Sequence, residues 1–400
     1  MRHLMPLFAA VALVLSAGST YADLGDQLAK LLPDDGATDD RFGISVAISG
    51  ATAIVGAFQD DDNGADSGSA YLFDITTGRQ IAKLLPKDGA ELDHFGFSVA
   101  ISGAIAIVGA GGDDDNGESS GSAYLFDTTT GQQIAKLLPN DGATWDFFGT
   151  SVAISGATAI VGAFGDDDNG PSSGSAYLFD TTTGRQIAKL LPNDGAELDE
   201  FGFSVAISGA TAIIGAPEDD DNSFYSGSAY LFDTRTGRQI AKLLPNDGDL
   251  ADWFGISVAI SGTTAIVGAW FDDDNGSGSG SAYLFDTNTG EQMAKLLPDD
   301  GAAGDIFGIS VAMSGATAIV GAYRDDDNGP DSGSAYLFDA VGTGMCLWDL
   351  DGTGTVGILD LLALLAAWGS DPGGPPDFDG DGNVGIFDLL ALLANWGWCP

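Results

Sequence analysis

Apolar residues along most of the chain fall in short runs separated by polar turns. In one representative stretch the runs span residues 98–101, 105–110, 123–127 and 133–138. β-Branched and aromatic residues fill these runs, and Gly, Asn, Asp and Thr separate them, which is typical of β-strands joined by turns. The stretch therefore predicts a four-stranded antiparallel meander, and no helical period occurs in it.

This unit recurs without insertion or deletion. The dipeptide Phe-Gly returns every 53 residues, at Phe42, Phe95, Phe148, Phe201, Phe254 and Phe307. A fixed period of this length indicates a repeat architecture, and four strands per unit match one propeller blade. Neighbouring blades cover both faces of a blade, which explains why the runs are almost continuously apolar. We therefore predict an all-β, six-bladed β-propeller over residues 23–340.

Ring closure is the next prediction. The chain enters with a lone fourth-strand run at residues 27–32 and leaves the last unit after its third run, at residues 335–339. Pairing these two runs would complete blade six, give 24 strands and remove an exposed sheet edge. The alternative is an open solenoid of the same units, which would leave both edges unpaired.

Charge and the first residues restrict location and partners. The 400-residue chain has 58 Asp and Glu against 14 Lys and Arg, a formal net charge of −44. Phosphate backbones repel such a chain, which excludes nucleic acid as a partner. Residues 1–22 have a basic start, an apolar core and small residues, as secretory signal peptides do. We expect a secreted protein, extracellular or at the cell surface, with no membrane span.

One unit carries a family resemblance. Phe201-Gly202, followed by Ile214-Gly215-Ala216-Pro217, resembles the FG-GAP repeat of integrin α-subunit propellers and their bacterial relatives. The resemblance covers about residues 27–340 and implies that the loop-rich face is the ligand face, as in cell adhesion. Integrin-like blades place a calcium loop between their first two strands, but that link here is only Ser-Gly-Ala-Thr or a near variant. The family's propeller calcium sites are therefore not carried over.

Acidic loops follow the second and fourth strands of each unit, and antiparallel connectivity predicts that both lie on one face. The loop after strand two offers oxygens that calcium accepts, although Asp, Asn and Gly also stabilise solvated turns. Its candidate metal ligands are Asp60, Asp62, Asp113, Asp115, Asp166, Asp168, Asp219, Asp221, Asp272, Asp274, Asp325 and Asp327. The other loops contribute Asp35, Asp88, Asp141, Asp194, Asp247 and Asp300.

Catalysis needs differentiated groups, whereas a regular repeat supplies equivalents, so no catalytic residue is predicted. Side chains that are unique to one unit occur only at positions where the repeat sequences differ. A glycosidase pair could come from Glu91, Glu197 or Glu218, and His94 is expected at the surface. The aromatic residues at such positions fit contact with sugar or protein, or cap the blade ends: Trp145, Phe224, Tyr225, Trp253 and Trp270.

Composition changes after a linker at residues 341–345, and residues 346–400 contain no Lys or Arg. Two acidic loops, 28 residues apart, each run into an apolar helix predicted at 361–368 or 389–396. Their oxygen-bearing residues have EF-hand spacing, so calcium is the expected cofactor; acidic turns before core helices are the alternative. The predicted ligands are Asp349, Asp351, Thr353, Thr355, Asp360, Asp377, Asp379, Asp381, Asn383 and Asp388.

A loop followed by one helix, twice over, resembles a type I dockerin module or the dockerin-like tails of secreted bacterial proteins. The resemblance implies a small α-helical, calcium-binding docking module over residues 346–400 and a cohesin-like partner. Ile358-Leu359 and Ile386-Phe387 stand where dockerins typically have hydroxyl or charged residues for cohesin recognition. Cys346 and Cys399 bracket the module and predict a disulfide, with two free thiols as the alternative.

The sequence thus favours a secreted, non-enzymatic binding, adhesion or scaffold protein. Its propeller would be an interaction platform for an extracellular protein or polysaccharide, and its tail would be a docking module. One alternative is a dockerin-bearing extracellular enzyme or subunit that acts in polysaccharide degradation by O-glycosyl hydrolysis. Another is a structural component of a surface layer.

Overall fold

The structure, a computed structural model, describes residues 29–341, 350, 355–369, 376, 383–394 and 397–398. The predicted signal peptide and both cysteines lie outside the described residues. No helix among the described residues is both long enough and apolar enough to cross a membrane.

Six antiparallel sheets follow one another in chain order, and each is a meander. The strands of blades one to three are β1 (Val46–Ser49), β2 (Thr52–Ala57), β3 (Ser69–Asp74), β4 (Arg79–Leu84), β5 (Val99–Ser102), β6 (Ile105–Ala110), β7 (Ser122–Asp127), β8 (Gln133–Leu137), β9 (Val152–Ser155), β10 (Thr158–Ala163), β11 (Ser175–Asp180) and β12 (Arg185–Leu190). Those of blades four to six are β13 (Ser204–Ser208), β14 (Thr211–Ala216), β15 (Ser228–Asp233), β16 (Arg238–Leu243), β17 (Phe254–Ser261), β18 (Thr264–Ala269), β19 (Ser281–Asp286), β20 (Gln292–Leu296), β21 (Phe307–Ser314), β22 (Thr317–Ala322) and β23 (Ser334–Asp339). The first strands of consecutive blades contact each other. The predicted six-bladed β-propeller of antiparallel blades is confirmed, and blades one to five have the predicted four strands.

The burial of each strand follows its position in the blade. β10 and β11 of blade three are buried along almost their whole length, because blades two and four cover their two faces. β12 is the outer strand, and its residues alternate between exposed and partly buried up to the buried Leu190. The continuously buried apolar runs therefore belong to the central strands, whereas the outer strand alternates.

The Phe-Gly dipeptide joins each blade to the one before it. Phe148 is fully buried; its backbone N–H donates to the carbonyl of Ser120 in blade two at 3.1 Å, and its ring lies 5.5 Å from that of Tyr177. Gly149 has a φ of +96°, and a Cβ there would lie 2.1 Å from the carbonyl oxygen of Ser122. Only glycine fits so close to another blade, which explains the fixed dipeptide.

The predicted closure of blade six is wrong for the described residues. Residues 29–32 form no strand, and β23 is the outer strand of a three-stranded sheet, so the described blades have 23 strands rather than 24. The segment lies on blade one. Leu31 packs on the apolar cluster of that blade, and the N–H of Asp34 donates to Gln80 Oε1 at 2.9 Å. The loop after the fourth strand makes the same contact with the next blade at internal junctions, as the N–H of Lys87 does with Gln133 Oε1 at 3.0 Å.

The two end blades consequently expose apolar residues on their outward faces. Val46 and Ile48 of blade one are 68% and 63% exposed, whereas Val99 and Ile101, their equivalents in blade two, are 7% and 8% exposed. Leu337 in blade six is 70% exposed. The uncovered edges expected for the open-solenoid alternative are therefore present in the part of the chain that the structure describes.

The described part of the C-terminal region contains two short helices and two short strands. The elements are β24 (Thr355–Val356), α1 (Ile358–Ala366), α2 (Ile386–Ala394) and β25 (Gly397–Trp398). β24 pairs with β25, α1 contacts α2, and a small core lies between them. The core residues are Val356, Leu364, Val384 and Leu392.

Both helices begin three residues earlier than the sequence predicted. Asp360 lies in the first turn of α1, and its Oδ2 accepts a hydrogen bond from the N–H of Gly357 at 2.6 Å. Asp388 accepts one from the N–H of Gly385 at 2.6 Å in the same way. Because each aspartate satisfies a free N–H at a helix start, it belongs to the helix rather than to the loop alone.

Candidate functional site

A lysine occupies the centre of an acidic cluster on the loop face of each of the first five blades. In blade three, Lys189 Nζ lies 2.9 Å from Asp141, 2.9 Å from Asp166 and 2.7 Å from Asp168. The Tyr177 hydroxyl donates to Asp166 at 2.7 Å, and Lys189 Nζ lies 5.2 Å from the centroid of the Tyr177 ring. The equivalent lysines are Lys83, Lys136, Lys242 and Lys295. These contacts confirm that both sets of acidic loops share one face.

The cluster of blade three favours the charged forms of Lys189 and Asp166, as opposing shifts in their pKa values show. Burial alone would lower the pKa of Lys189, but hydrogen bonds to its three aspartates raise that pKa above its ordinary value. Burial would also raise the pKa of Asp166, yet hydrogen bonds from Lys189 and Tyr177 hold it below its ordinary value. Three carboxylates surround one ammonium, so each cluster stays net negative.

The predicted metal ligands in the propeller loops are partners of these lysines in blades one to five. Asp60 and Asp62, for example, both pair with Lys83, at 2.9 Å and 2.7 Å. The described residues contain no group of three or more His, Cys, Asp or Glu side chains arranged to hold a metal ion. Metal binding by these loops stays a prediction, and in five blades a cation would compete with a lysine.

Blade six has the same acidic cluster without a lysine among the described residues. The Tyr336 hydroxyl lies 2.5 Å from the Asp325 carboxylate and 3.1 Å from that of Asp300, as the equivalent tyrosines do with their two aspartates in blades one, three and five. Repulsion from Asp325, Asp300 and Asp305 raises the pKa of Asp327 above its ordinary value. The position that an ammonium occupies in five blades is thus surrounded only by carboxylates here.

A pocket of about 470 Å³ opens on the loop face between blades two and three. Its aromatic walls are His94 and Phe97 from blade two and Trp145, Phe147 and Phe164 from blade three. The rings of Phe147 and Phe164 stack at 5.1 Å, and Trp145 lies 5.9 Å from Phe147. Trp145 is 49% exposed, so its ring is available at the mouth of the pocket.

The pocket exists because two small residues replace two aromatic rings. At the preceding junction Phe58 and Phe97 fill this space with their rings 5.4 Å apart, and at the following junction Phe164 and Phe203 do so at 5.7 Å. Between blades two and three the equivalent residues are Gly111 and Thr150. Gly111 was not singled out from the sequence, although it is the only glycine at its position among the six repeats.

The pocket is acidic as well as aromatic. Glu91, Asp114 and Glu118 line it, and no Lys or Arg does. Burial lowers the pKa of His94, with Asp66 acting in the opposite direction, so its imidazole is neutral at pH 7. The structure thus brings together Glu91, His94 and Trp145, which the sequence had named separately. Aromatic faces beside carboxylate acceptors can hold the ring of a neutral or cationic ligand and accept its hydrogen bonds.

A pair of glutamates lies on the loop face of blade four. Burial raises the pKa of Glu200 to about 7, and the nearby charge of Glu218 adds to the effect. The pKa of Glu218 is also raised, by burial and by Asp220. A carboxyl group with a pKa of about 7, such as that of Glu200, can exchange its proton near neutral pH.

Four of the predicted aromatic residues lie in one series at the edge of blades four and five. Neighbouring ring centroids are 3.8 Å apart for Phe224 and Tyr225, 5.7 Å for Tyr225 and Trp253, and 5.8 Å for Trp253 and Trp270. Glu197 lies on another loop, against Gly170 of blade three. Glu91, Glu197 and Glu218 are therefore spread over different blade junctions.

Only part of the predicted calcium ligand set is described. Asp360 and Asp388 are both 1% exposed, and Asp360 also accepts a hydrogen bond from the N–H of Leu350 at 2.6 Å. Asn383 is exposed, and Thr355 is described only as a strand residue. The other predicted ligands lie outside the described residues: Asp349, Asp351, Thr353, Asp377, Asp379 and Asp381. Two equivalent buried aspartates fit the predicted duplication, and calcium binding stays a prediction.

These features define a β-propeller repeat protein whose loop face carries lysine-centred clusters and one aromatic pocket. The FG-GAP repeat model matches residues 26–73, 79–126, 132–179, 185–232, 238–285 and 291–338. The matches cover more than half of the chain, which belongs to the FG-GAP repeat family.

No curated protein matches the chain. One similar solved structure is that of the computationally designed Ika8 protein, with 16% sequence identity and a TM-score of 0.45. The similarity covers 74% of this chain and 70% of the designed one.

Proposed function

We propose that this protein is a secreted binding or adhesion protein whose propeller presents an interaction platform on its loop face. The observation that carries the proposal is the aromatic pocket between blades two and three. Gly111 and Thr150 open it where neighbouring junctions are filled, so it is a feature of one junction rather than of the fold. An extracellular protein or polysaccharide is the expected partner, because its side chains or sugar rings can stack on Trp145.

The experiment fills the pocket with the residues that neighbouring junctions already use. Gly111→Phe combined with Thr150→Phe should place two rings there, as Phe58 and Phe97 do one junction earlier. Retention of the full chain is measured by affinity electrophoresis in gels that contain xylan, β-glucan or pectin, and on surfaces coated with collagen. We expect at least one of these matrices to retain the protein and the double variant to lose that retention.

The matched control is Thr129→Phe, which adds a ring at the exposed turn of blade two after β7, on the opposite face. Its retention should equal that of the unmodified protein. Equal retention of the pocket-filled variant would show that the pocket is not the binding site. Retention by none of the matrices would contradict the proposed partners.

We further propose that the C-terminal module docks the protein to an extracellular assembly, with calcium holding its two loops. Support comes from Asp360 and Asp388, which are buried at equivalent positions of two packed helices. Calorimetric titration of the full chain with calcium should show binding that the double variant Asp351→Ala and Asp379→Ala loses. Equal binding by that variant would place the calcium elsewhere. Cohesin binding is the finer expectation, tested separately with immobilised cohesin.

A hydrolytic function is the second candidate, favoured by Glu200 and Glu218. A carboxyl group with a pKa of about 7 is protonated in part at neutral pH and can act as a general acid. Release of reducing sugar from a polysaccharide panel is the measurement. Hydrolysis that Glu200→Gln abolishes and Glu197→Gln leaves unchanged would make the protein an enzyme; no release of sugar from any substrate argues for the binding function.

A further inference from the structure

Among the described residues, blade six lacks the fourth strand and the lysine that complete each of the other blades. A hollow of about 370 Å³ is lined there by Leu297, Asp300, Tyr336 and Leu337. In blade three the lysine of β12 lies opposite Tyr177 in the strand register, and Leu190 lies opposite Ala176. The hollow therefore marks the place of one strand with a lysine opposite Tyr336.

The chain has one further copy of that strand sequence. Residues 27–31 read Gln-Leu-Ala-Lys-Leu, which matches Gln-Ile-Ala-Lys-Leu in β4, β12 and β16. Its lysine, Lys30, is exposed and makes no ion pair among the described residues. Leu31 packs on blade one, and a Cβ on Gly78 would lie 3.2 Å from Cβ of Ala29, so Lys30 is held at the outward face of that blade.

The outward faces of blades one and six are also apolar complements of each other. Val46 and Ile48 of blade one are the equivalents of residues that the preceding blade covers at every internal junction. Ile319 and Leu337 of blade six are 41% and 70% exposed, whereas Ile266 and Leu284 in blade five, which blade six covers, are 0% and 3% exposed. Each end thus exposes one half of a junction that occurs five times within the chain.

We propose that a second copy of this chain completes blade six, so that molecules assemble end to end. Lys30 of one copy enters the cluster of Asp300, Asp325 and Asp327 of the next, opposite Tyr336. Its segment adds a strand to the free edge of β23, with Leu31 opposite Ala335. The charges are complementary, and the contact buries the two exposed apolar faces.

A second copy is the occupant because both ends are exposed in the same chain. Residues 29–32 already lie on blade one, while the edge of β23 stays free. The contact joins two different surfaces, so it leaves one free end on each partner and can repeat. Longer assemblies should therefore form as the protein concentration rises.

The test is sedimentation velocity of the full chain over a hundredfold range of concentration in about 0.15 M salt, where charges more than a Debye length apart are screened. The average mass should increase with concentration. Lys30→Glu puts a carboxylate among carboxylates and should keep the protein monomeric. Lys87→Glu makes the same charge change at another exposed site and should assemble like the unmodified protein.

A pair of variants, each blocked at one end, identifies the contact. Lys30→Glu leaves the blade-six end intact, and Leu337→Asp leaves the blade-one end intact; both replaced side chains are exposed, so both variants should fold. Each alone should be monomeric, and an equal mixture should form dimers and nothing larger. An unmodified protein that is monomeric at every concentration, or a mixture without dimers, would overturn the proposal.

Discussion

Blades three and six are built from the same repeat, yet only blade three has a lysine at the centre of its acidic cluster. Tyr177 and its aspartates surround Lys189, whereas Tyr336 lies among aspartates alone in the described residues. Tyr177 is fully buried, but Tyr336 is only partly buried. The lysine on the outer strand thus offsets part of the negative charge of its cluster and ties that strand to the acidic loops, so these clusters are primarily structural.

The largest expected effect is the loss of a central lysine. Lys189→Met leaves Asp166, with 5% of its side chain exposed, without its counter-charge. We expect the free energy of unfolding to fall by about 2–4 kcal/mol, less than for a fully buried pair because water reaches Asp141 and Asp168. Denaturant unfolding measures the change.

Lys30→Met is the matched control for that variant. Lys30 is exposed and has no ion pair among the described residues, so at concentrations where the protein is monomeric the change should stay below about 0.5 kcal/mol. A loss as large as for Lys189→Met would show that blades one and six meet within one molecule, and the contrast between blades would disappear.

Removal of the tyrosine hydroxyl should have the next largest effect on stability. In Tyr177→Phe, the Asp166 oxygen that accepts the 2.7 Å hydrogen bond loses one donor. That oxygen is buried. We expect a loss of about 1–2 kcal/mol in unfolding free energy. Tyr336→Phe should cost less, because water can replace the hydroxyl in blade six; an equal cost in both blades would contradict the difference in burial.

Two aspartates of blade three have pKa values that are shifted in opposite directions. Burial raises the pKa of Asp146 to about 6, whereas Asp166 has a lowered pKa. Protonation of Asp146 therefore favours the folded state as pH falls from about 6 towards 4, while the contribution of Asp166 is lost only below its ordinary pKa. Asp146→Asn should remove a gain on the order of 1 kcal/mol, seen in unfolding measured at pH 7 and pH 5. An unchanged pH dependence would show that Asp146 is not buried as a carboxylate.

The repeat, the blades and the shared loop face could be predicted from the sequence, because strand pattern and antiparallel connectivity are local properties. The predicted closure of blade six is absent from the described residues. The segment keeps the contact that a fourth strand's following loop makes with the next blade, since the hydrogen bond of Asp34 to Gln80 is repeated by Lys87 and Gln133, but residues 29–32 form no strand on β23.

The lysine-centred clusters and the pocket were missed because they depend on comparing positions across blades. Tyr177 and Lys189 recur every 53 residues, which could have indicated a shared contact with the equally periodic aspartates. Predicting the pocket requires two repeat positions to be compared at once, because Gly111 opens space only where Thr150, across the junction, is small as well. Single unusual residues such as Glu91 and Trp145 were recognisable, but their proximity was not.

The smallest expected effect has opposite signs in the two blades. Asp168→Asn removes an ion pair of 2.7 Å with Lys189 and should lower the thermal midpoint of unfolding. The corresponding loss in the free energy of unfolding should be no more than about 1 kcal/mol. Asp327→Asn should raise the midpoint, because it removes a carboxylate that its neighbours repel. Both shifts should shrink in 1 M salt, which screens exposed charges. Shifts of the same sign in low salt would mean that a cation fills the blade-six cluster in solution, as Lys189 does in blade three.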